Sequence, residues 1–171
     1  MTEVIWNSAF DFLMENEGGF VNNPKDPGGA TNRGVTQKSY NAWRKKRGLP
    51  VQSVELMTIE ETRQFYREEY WLRAKCDRYP DCFSVAVFDY AVNSGVNKAV
   101  RDFQKALGIV VDGIVGNQTI GAANRLPPRP VLKAYMDGRL DFLMSLKNWK
   151  YFGNGWGKRV KKVQNFCEGL I

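Results

Sequence analysis

The most constraining feature of the chain is the segment 81–93, whose centre is almost entirely apolar and which follows Pro80. A helix that is apolar on every side has to be buried, so this segment predicts the most buried helix of the fold. Asp89 and Asn93 share one face of that helix. Two interpretations of this face stay open. It lines a cavity or a cleft, because unpaired buried polar groups are costly, or Asn93 merely begins an ordinary helix exit.

Apolar residues recur at helical spacing along the rest of the chain, which predicts an all-α fold of about seven or eight helices in one compact unit with two lobes. We place the boundary between the two regions at 93/94, giving residues 1–93 and 94–171. Outside segment 81–93, helices are expected at about 3–16, 36–47, 59–73, 96–107, 118–124, 130–148 and 157–170. Three connections are expected between them: a hairpin-like turn at 109–119, a proline-rich linker at 127–130 and a glycine-aromatic turn at 151–157.

Local signals define several helix ends. Thr36 is expected to cap the second helix, and Gly48 to end it after four cations, Arg44-Lys-Lys-Arg47. Thr58 and Glu61 have the spacing of a capping box. Asn117 is expected to cap the helix that follows the hairpin-like turn.

A loop rich in glycine, proline and asparagine separates the first two helices, at residues 17–35. Gly18 and Gly19 allow the first helix to stop abruptly beside Glu17, which places that carboxyl at a helix end. Asp26 follows in a turn-forming run, Asp-Pro-Gly-Gly. Such a loop is typical of an active site. The alternative is a plain helix terminus followed by a surface turn, since most exposed acids do no chemistry.

The chain has no histidine, and this absence excludes histidine-ligated zinc hydrolases and catalysis by Ser-His-Asp or Cys-His groups. The remaining groups for proton transfer are carboxylates, lysine, tyrosine and cysteine. Hydrolysis with this inventory indicates a pair of carboxylates, as in most glycoside hydrolases. We find no cluster of metal ligands and expect no cofactor. Cys76, Cys82 and Cys167 are expected to be buried reduced thiols, although a pair between the first two stays open.

The formal net charge of +7 predicts attraction to polyanions such as nucleic acid, anionic lipid or an acidic cell wall. The cations are dispersed, and no motif typical of nucleic-acid recognition is found, so we expect no nucleic-acid partner. The N-terminus lacks the basic start and apolar core of a secretory signal. We therefore expect synthesis in the cytoplasm, release by another route and a monomeric protein.

Three motifs near the N-terminus resemble glycoside hydrolase family 108: Glu17-Gly-Gly-Phe-Val-Asn22, Asp26-Pro-Gly-Gly29 and Thr31-Asn-Arg-Gly-Val-Thr36. The family usually has tyrosine where this chain has Phe20, a difference of one hydroxyl. Tyr70-Trp71 and the segment 88–95 also resemble the family. The C-terminal part is similar to the peptidoglycan-binding module that accompanies such enzymes, at Phe103-Gln104, Ala106-Leu107-Gly108, Asp112-Gly113, Gly116 and Thr119.

This resemblance implies an N-acetylmuramidase with a lysozyme-like fold, in the manner of phage endolysins that lyse the host by degrading its cell wall. It implies that Glu17 is the catalytic acid, protonated when the substrate binds. By looser analogy with phage lysozymes, Asp26 would stabilise the transition state or orient water, and Thr31 would hold that water. Substrate contacts are expected at Phe20, Asp89, Tyr90 and Asn93.

The expected partner is peptidoglycan, whose carboxylates suit a basic protein. Docking cations are expected at 44–47 and 158–162. Two other functions stay open. A lytic transglycosylase attacks the same bond with a lone glutamate but gives a cyclised product, and a cell-wall-binding protein without catalysis would need only the C-terminal module.

Overall fold

The computed structural model describes residues 2–22 and 29–171. Over these residues the chain forms eight α-helices and one two-stranded sheet, which confirms the all-α prediction. By contacts it divides into two compact units, Met1–Trp6 with Tyr70–Ile171, and Asn7–Glu69. The elements, in chain order, are α1 (Thr2–Met14), β1 (Thr31–Asn32), β2 (Val35–Thr36), α2 (Gln37–Lys46), α3 (Ile59–Tyr66), α4 (Asp81–Ser94), α5 (Val96–Ala106), α6 (Asn117–Arg125), α7 (Pro128–Ser145) and α8 (Trp149–Glu168).

Helix α4 is the centre of the larger unit, as its apolar sequence predicts. Every residue from Cys82 to Ala91 is buried. The helix packs against α5, α7 and α8, and α7 also packs against α5 and α8. Gly95 separates α4 from α5 with φ of 90°, a conformation that favours glycine and lets the chain turn within one residue.

Aromatic side chains fill the core of the larger unit. Trp6, Trp71 and Phe88 meet edge to face, with ring centroids 5.3 to 5.6 Å apart. Phe103 contacts Tyr135 in the same way at 5.3 Å. These rings are almost completely buried, and edge-to-face contacts add to the stabilisation that comes from removing their surface from water.

Helix caps and a partly buried ion pair stabilise the smaller unit. Thr36 caps α2 by accepting a hydrogen bond from the Ser39 N–H, and Thr58 and Glu61 form a complete capping box at α3. Both caps were predicted. Arg44 is 6% exposed, and its guanidinium lies 2.7 Å from the Glu61 carboxylate. It is therefore part of the interior.

Two predicted connections are helical in the structure. The expected proline-rich linker forms the start of α7, because Pro128 occupies the first turn, where a missing N–H costs no helical hydrogen bond. The expected turn at 151–157 lies inside α8, which begins at Trp149. Glycine is costly in a helix but not forbidden there, so the glycine-rich composition was misleading.

The expected hairpin-like turn at 109–119 is a loop without strands in the described chain, followed by α6. The buried Gln104 side chain organises it. Its side-chain amide nitrogen, Nε2, donates to Asp112 Oδ1 at 2.8 Å. Its side-chain amide oxygen, Oε1, accepts from the Gly113 N–H at 2.8 Å. Gly116 precedes α6 as its cap residue, so the cap predicted at Asn117 is wrong by one position and uses no side chain.

All three cysteines are free and buried, as predicted. Burial raises the pKa of each thiol, which keeps it protonated and unreactive. No helix in the described part of the chain has the length and apolarity to cross a bilayer.

Candidate active site

Glu17 lies just beyond the C-terminal end of α1. The helix ends at Met14, and two further hydrogen bonds follow, from the Glu15 N–H to Asp11 O at 3.1 Å and from the Asn16 N–H to Leu13 O at 3.0 Å. Glu17 is half-buried. Gly18 and Gly19 after it are exposed, so the chain leaves the helix at the position that the sequence indicates.

A tight β-hairpin forms the surface next to this carboxyl. Strands β1 and β2 pair antiparallel, with Thr31 opposite Thr36 and Asn32 opposite Val35. The two connecting residues, Arg33 and Gly34, have φ of 48° and 79°. Positive φ at both central positions is characteristic of a type I′ turn, whose twist matches that of the strands.

Gly34 brings the hairpin into direct proximity with Glu17. A Cβ atom at Gly34 would lie 2.6 Å from Glu17 Oε2 and 2.6 Å from the Tyr66 hydroxyl oxygen. Real Cβ atoms essentially never come this close, so a side chain at position 34 would force the Glu17 carboxyl or the Tyr66 hydroxyl to move. The absence of a side chain therefore allows the carboxyl of Glu17 and the hydroxyl of Tyr66 to flank the same point of the hairpin.

The hairpin is fixed by hydrogen bonds at the end of β1 and at the first residue of its turn. The Tyr66 hydroxyl donates to Arg33 O at 2.7 Å, and Arg33 Nη1 donates to Met57 O at 2.9 Å. The buried Asn32 side chain donates to Val54 O at 3.0 Å. Three hydrogen bonds at two successive residues, Asn32 and Arg33, give Glu17 a fixed neighbour, as positioning of a side chain requires.

The segment that contains Phe20 pairs with the strand that contains Thr31, beside Glu17. Val21 and Thr31 form an antiparallel bridge with two hydrogen bonds of 2.8 Å, which brings the segment after Glu17 alongside β1. Thr31 is half-buried, and Phe20 is 39% exposed. The structure thus brings Glu17, Phe20 and Thr31 into one region. Asp26, the predicted second carboxylate, lies outside the described residues.

The other predicted substrate contacts lie on α4 and have internal partners. Asp89 is 2% exposed, with Arg139 Nη1 at 2.7 Å and Arg159 Nη2 at 2.9 Å from its carboxylate oxygens. The buried Tyr90 donates its hydroxyl to Asp102 at 2.6 Å. Both side chains therefore have structural roles, and their contact with substrate stays a prediction.

Asn93 lies in the last turn of α4 and is exposed. Of the three predicted substrate contacts on α4, it is the one that solvent reaches.

Asp102, the partner of Tyr90, lines a cavity of about 470 Å³ between α5 and α7, together with Lys98 and Phe142. Lys98 Nζ lies 2.9 Å from Asp102 and 4.3 Å from the centroid of the Phe142 ring, so these two charged groups of the cavity are paired with each other.

The pKa of Asp89 results from two opposing effects. Burial alone would raise it, but Arg139 and Arg159 favour the charged form more strongly, and the pKa is lowered below the ordinary value for a carboxyl. Asp89 is therefore an anion in the folded protein, and it compensates two buried or partly buried cations.

The sequence pointed to Glu17 but not to the residues that hold its surroundings. Gly34, Arg33 and Tyr66 were not singled out as site residues. The signal for the first two is local, since Thr-Asn-Arg-Gly-Val-Thr places two turn residues between short extended pairs. Nothing local marks Tyr66, because its hydroxyl meets the hairpin only after α3 has folded against it.

Among residues 2–22 and 29–171, no group of three or more histidine, cysteine or acidic side chains is arranged to hold a metal ion. The site as described consists of a half-buried carboxyl, a tyrosine hydroxyl, a threonine and an exposed aromatic ring. These are groups that can donate a proton to a sugar oxygen and pack against a sugar ring.

The all-α fold, with a glutamate at a helix end beside a β-hairpin, agrees with the lysozyme-like fold that the sequence predicts. Comparison with known families supports this class. Residues 10–95 match the model described as glycosyl hydrolase 108, and residues 98–161 match the model described as a predicted peptidoglycan domain. The chain belongs to glycosyl hydrolase family 108 and is a glycoside hydrolase that acts on peptidoglycan.

Twelve chains of solved structures match this chain. One of them is the structure of Brucella abortus SagA, with 33% sequence identity and a TM-score of 0.86 over 98% of this chain and 96% of that chain. The similarity therefore extends through both matched regions. A search of curated protein sequences found no match.

Proposed function

We propose that the protein hydrolyses the β-1,4 bond between N-acetylmuramic acid and N-acetylglucosamine in peptidoglycan, with Glu17 as the general acid. The observation that carries this proposal is the position of the Glu17 carboxyl, half-buried at the end of α1 and held against the hairpin at Gly34. A carboxyl fixed beside a rigid turn can deliver its proton to the leaving sugar oxygen.

Breaking this bond requires a proton for the leaving group and stabilisation of the oxocarbenium-like transition state. Glu17 supplies the proton. Asp26 is proposed as the anion that stabilises the positive charge or orients the attacking water, and Thr31 as the residue that holds that water. Phe20, 39% exposed in the segment after Glu17, is proposed to support a sugar ring.

The test of the reaction is mass spectrometry of the products released from purified sacculi. Hydrolysis adds water across the bond and leaves reducing N-acetylmuramic acid ends. A lytic transglycosylase breaks the same bond but leaves 1,6-anhydromuramic acid ends, and a glucosaminidase leaves reducing N-acetylglucosamine. Anhydro products would replace our proposal with transglycosylation, and the absence of any product would leave only a wall-binding function.

We also propose cell lysis as the biological role, in the manner of an endolysin. The support is the combination of a peptidoglycan-hydrolase region with a second region that matches a predicted peptidoglycan domain. Purified protein added to permeabilised Gram-negative cells should clear the suspension. Release of muropeptides without loss of cell integrity would instead indicate wall remodelling.

A further inference from the structure

The first two turns of α8 carry four aromatic residues, Trp149, Tyr151, Phe152 and Trp156, which we call the aromatic shelf. Tyr151 and Phe152 are 71% and 55% exposed. Phe152 stacks on Trp156 with ring centroids 5.7 Å apart, and Trp149 lies 6.2 Å from Trp156. Two adjacent exposed rings backed by two half-buried indoles form an apolar patch, and such patches mark surfaces that contact another molecule.

Glycines interleave with the shelf and shape it. A Cβ atom at Gly153 would lie 2.6 Å from the indole of Trp149, and one at Gly157 would lie 3.8 Å from the same ring. The indole therefore packs directly over Gly153 and reaches Gly157 one helical turn further on. Glycine lowers helix stability relative to alanine, yet it is retained at three alternate positions here, 153, 155 and 157. At Gly153 the reason is steric, because it keeps the Trp149 ring in place.

The surroundings of the shelf are strongly basic. Between residues 142 and 167 the sequence has six cations and no acid. One of the six, Arg159, is bound to Asp89 inside the larger unit. Lys147, Lys150 and Lys158 lie beside the shelf in the sequence and are exposed, and Lys150 Nζ lies 4.8 Å from the centroid of the Tyr151 ring. The shelf thus combines flat apolar faces with positive charge.

The glycan strand of peptidoglycan has the matching chemistry. Each sugar ring presents a face of C–H bonds with partial positive charge, which is attracted to the negative face of an aromatic ring. The stem peptides attached to muramic acid carry carboxylates, and the lactyl carboxyl is itself free wherever a stem peptide has been removed; both suit the neighbouring lysines. The aromatic shelf also lies within the region, residues 98–161, that matches a predicted peptidoglycan domain.

We propose that the aromatic shelf is a glycan-binding site at which sugar rings stack on Tyr151 and Phe152, while Lys147, Lys150 and Lys158 contact the carboxylates of the same strand. This inference rests on the proposed function for the identity of the glycan, but not on the catalytic role of Glu17. The shelf holds the enzyme on its polymeric substrate, and it takes no part in bond cleavage.

The experiment measures binding of the full-length protein to purified sacculi in a Glu17→Gln background, so that the substrate is not digested. Replacing Tyr151 and Phe152 together by alanine should weaken the apparent Kd about tenfold, since two stacking contacts are lost. Exchanging the rings, as Tyr151→Phe with Phe152→Tyr, should retain binding. Leucine at both positions should behave like alanine, because leucine keeps the apolar surface but not the flat face.

A matched control removes exposed apolar side chains elsewhere in the same unit. Val110 and Ile114 are 64% and 69% exposed, and replacing both by alanine should leave binding to sacculi unchanged. Because all four of these side chains are largely exposed, the variants should keep the melting temperature of the parent. Circular dichroism melts establish that binding, and not folding, is compared.

The alternative occupant is an anionic bilayer, since aromatic and basic residues also favour membrane interfaces. Co-sedimentation with phosphatidylglycerol vesicles distinguishes the two. The proposal is wrong if the alanine variant binds sacculi as tightly as its parent, or if leucine restores binding to sacculi, or if the variant loses binding to vesicles but not to sacculi. Sacculi stripped of their stem peptides should still bind through the shelf.

The inference and the proposed function fail in different ways. With Glu17 intact, the alanine variant should digest sacculi more slowly at limiting protein concentration but should cleave short soluble glycan chains at the parent rate. If the alanine variant matched the parent's rate on both substrates, the proposed role of the shelf would be wrong and the proposed hydrolase activity would stand. If the parent protein bound sacculi through the shelf but released no product, the proposed hydrolase activity would be wrong and the proposed role of the shelf would stand.

Discussion

At the scale of single residues, the most informative contact is the one between Glu17 and Gly34. The sequence places Glu17 at a helix end, because two glycines follow it, but it does not show what the carboxyl faces. That neighbour is the backbone of a turn 17 residues further along the chain, so close that a methyl group there would force the Glu17 carboxyl or the Tyr66 hydroxyl to move. Close approach of backbone to a functional side chain is one of the uses of glycine that composition alone does not reveal.

This contact predicts the behaviour of Gly34→Ala. The added methyl would overlap Glu17 Oε2 and the Tyr66 hydroxyl, each 2.6 Å away, and would displace the carboxyl. Small displacements of catalytic groups cost on the order of 10²-fold in rate, so turnover on sacculi should fall by about that factor. Alanine at positive φ should also lower the free energy of unfolding by roughly 1–2 kcal/mol.

The control variant Gly48→Ala separates the loss of stability from the loss of activity. Gly48 has φ of 68° after α2, and a Cβ there would meet no atom within 4 Å. The substitution should therefore cause a similar loss of stability without loss of activity. Urea unfolding and initial rates of both variants measure the two effects. Full activity in Gly34→Ala would show that the contact with Glu17 does not position the carboxyl.

At the scale of secondary structure elements, the sequence predicts most of the helices but not their long-range pairing. Helix α4 was expected to be the most buried, and it is, because a segment without a polar face has nowhere else to lie. Asp89 within it was expected to line a cavity or contact substrate. Its actual partners, Arg139 on α7 and Arg159 on α8, are 50 and 70 positions away, and no local pattern connects them.

Residue type alone also gives the wrong expectation for Arg139, because arginine is normally exposed. Arg139 is completely buried, and its guanidinium lies 4.9 Å from the centroid of the Tyr90 ring. The bound Asp89 makes this burial tolerable. The start of α8 was missed for a related reason: glycine-rich segments indicate turns, whereas here the glycines make room for the Trp149 indole on a helix.

The link between α4, α7 and α8 predicts that Asp89→Asn is strongly destabilising. Loss of the negative charge leaves Arg139 buried without its counter-ion, and breaking a buried pair by removing one partner typically costs about 3–5 kcal/mol of unfolding free energy. Urea unfolding at neutral pH measures it. The matched control is Asp137→Asn, which removes the exposed partner of Lys133 and should cause no measurable change.

Asp89 also predicts a dependence of stability on pH. Because its pKa is lower in the folded than in the unfolded protein, its contribution is complete above the unfolded value of about 3.9 and is lost as the pH falls through the folded value. The free energy of unfolding of the parent should therefore decrease below about pH 4. The Asp89→Asn variant should lack this part of the slope, and parallel slopes would contradict the assignment.

At the scale of the whole molecule, the net charge of +7 does not show which cations can bind a polyanion, because some of them are already ion-paired with acids of the same chain. The two cation groups predicted for docking differ. In the group at 158–162, Arg159 is bound to Asp89, and the three lysines are exposed. In the group at 44–47, Arg44 is bound to Glu61, and Lys46 and Arg47 are bound to Glu69 and Glu68. The sequence shows the charges of a group, but the pairing that neutralises them depends on the tertiary structure.

The basic character predicts that binding to sacculi weakens as salt is added, because screening reduces attraction between exposed charges. Raising the ionic strength from about 50 mM to about 500 mM should lower binding several-fold. Replacing Lys150 and Lys158 by glutamine should reduce that salt dependence. Replacing Lys46 and Lys133, which are both ion-paired, should change it less for the same loss of net charge. Equal effects of the two pairs would indicate that net charge alone governs docking.

The central claim is that one carboxyl, at position 17, supplies the proton for bond cleavage. The most direct measurement compares initial rates of muropeptide release from sacculi by Glu17→Gln and Glu15→Gln, which differ by two positions in the same helix end. Glu17→Gln should lose about 10²–10⁴-fold in rate, since it retains the shape of the side chain but cannot donate the proton. Glu15→Gln should retain the parent rate. Full activity in Glu17→Gln, at an unchanged melting temperature, would contradict the account.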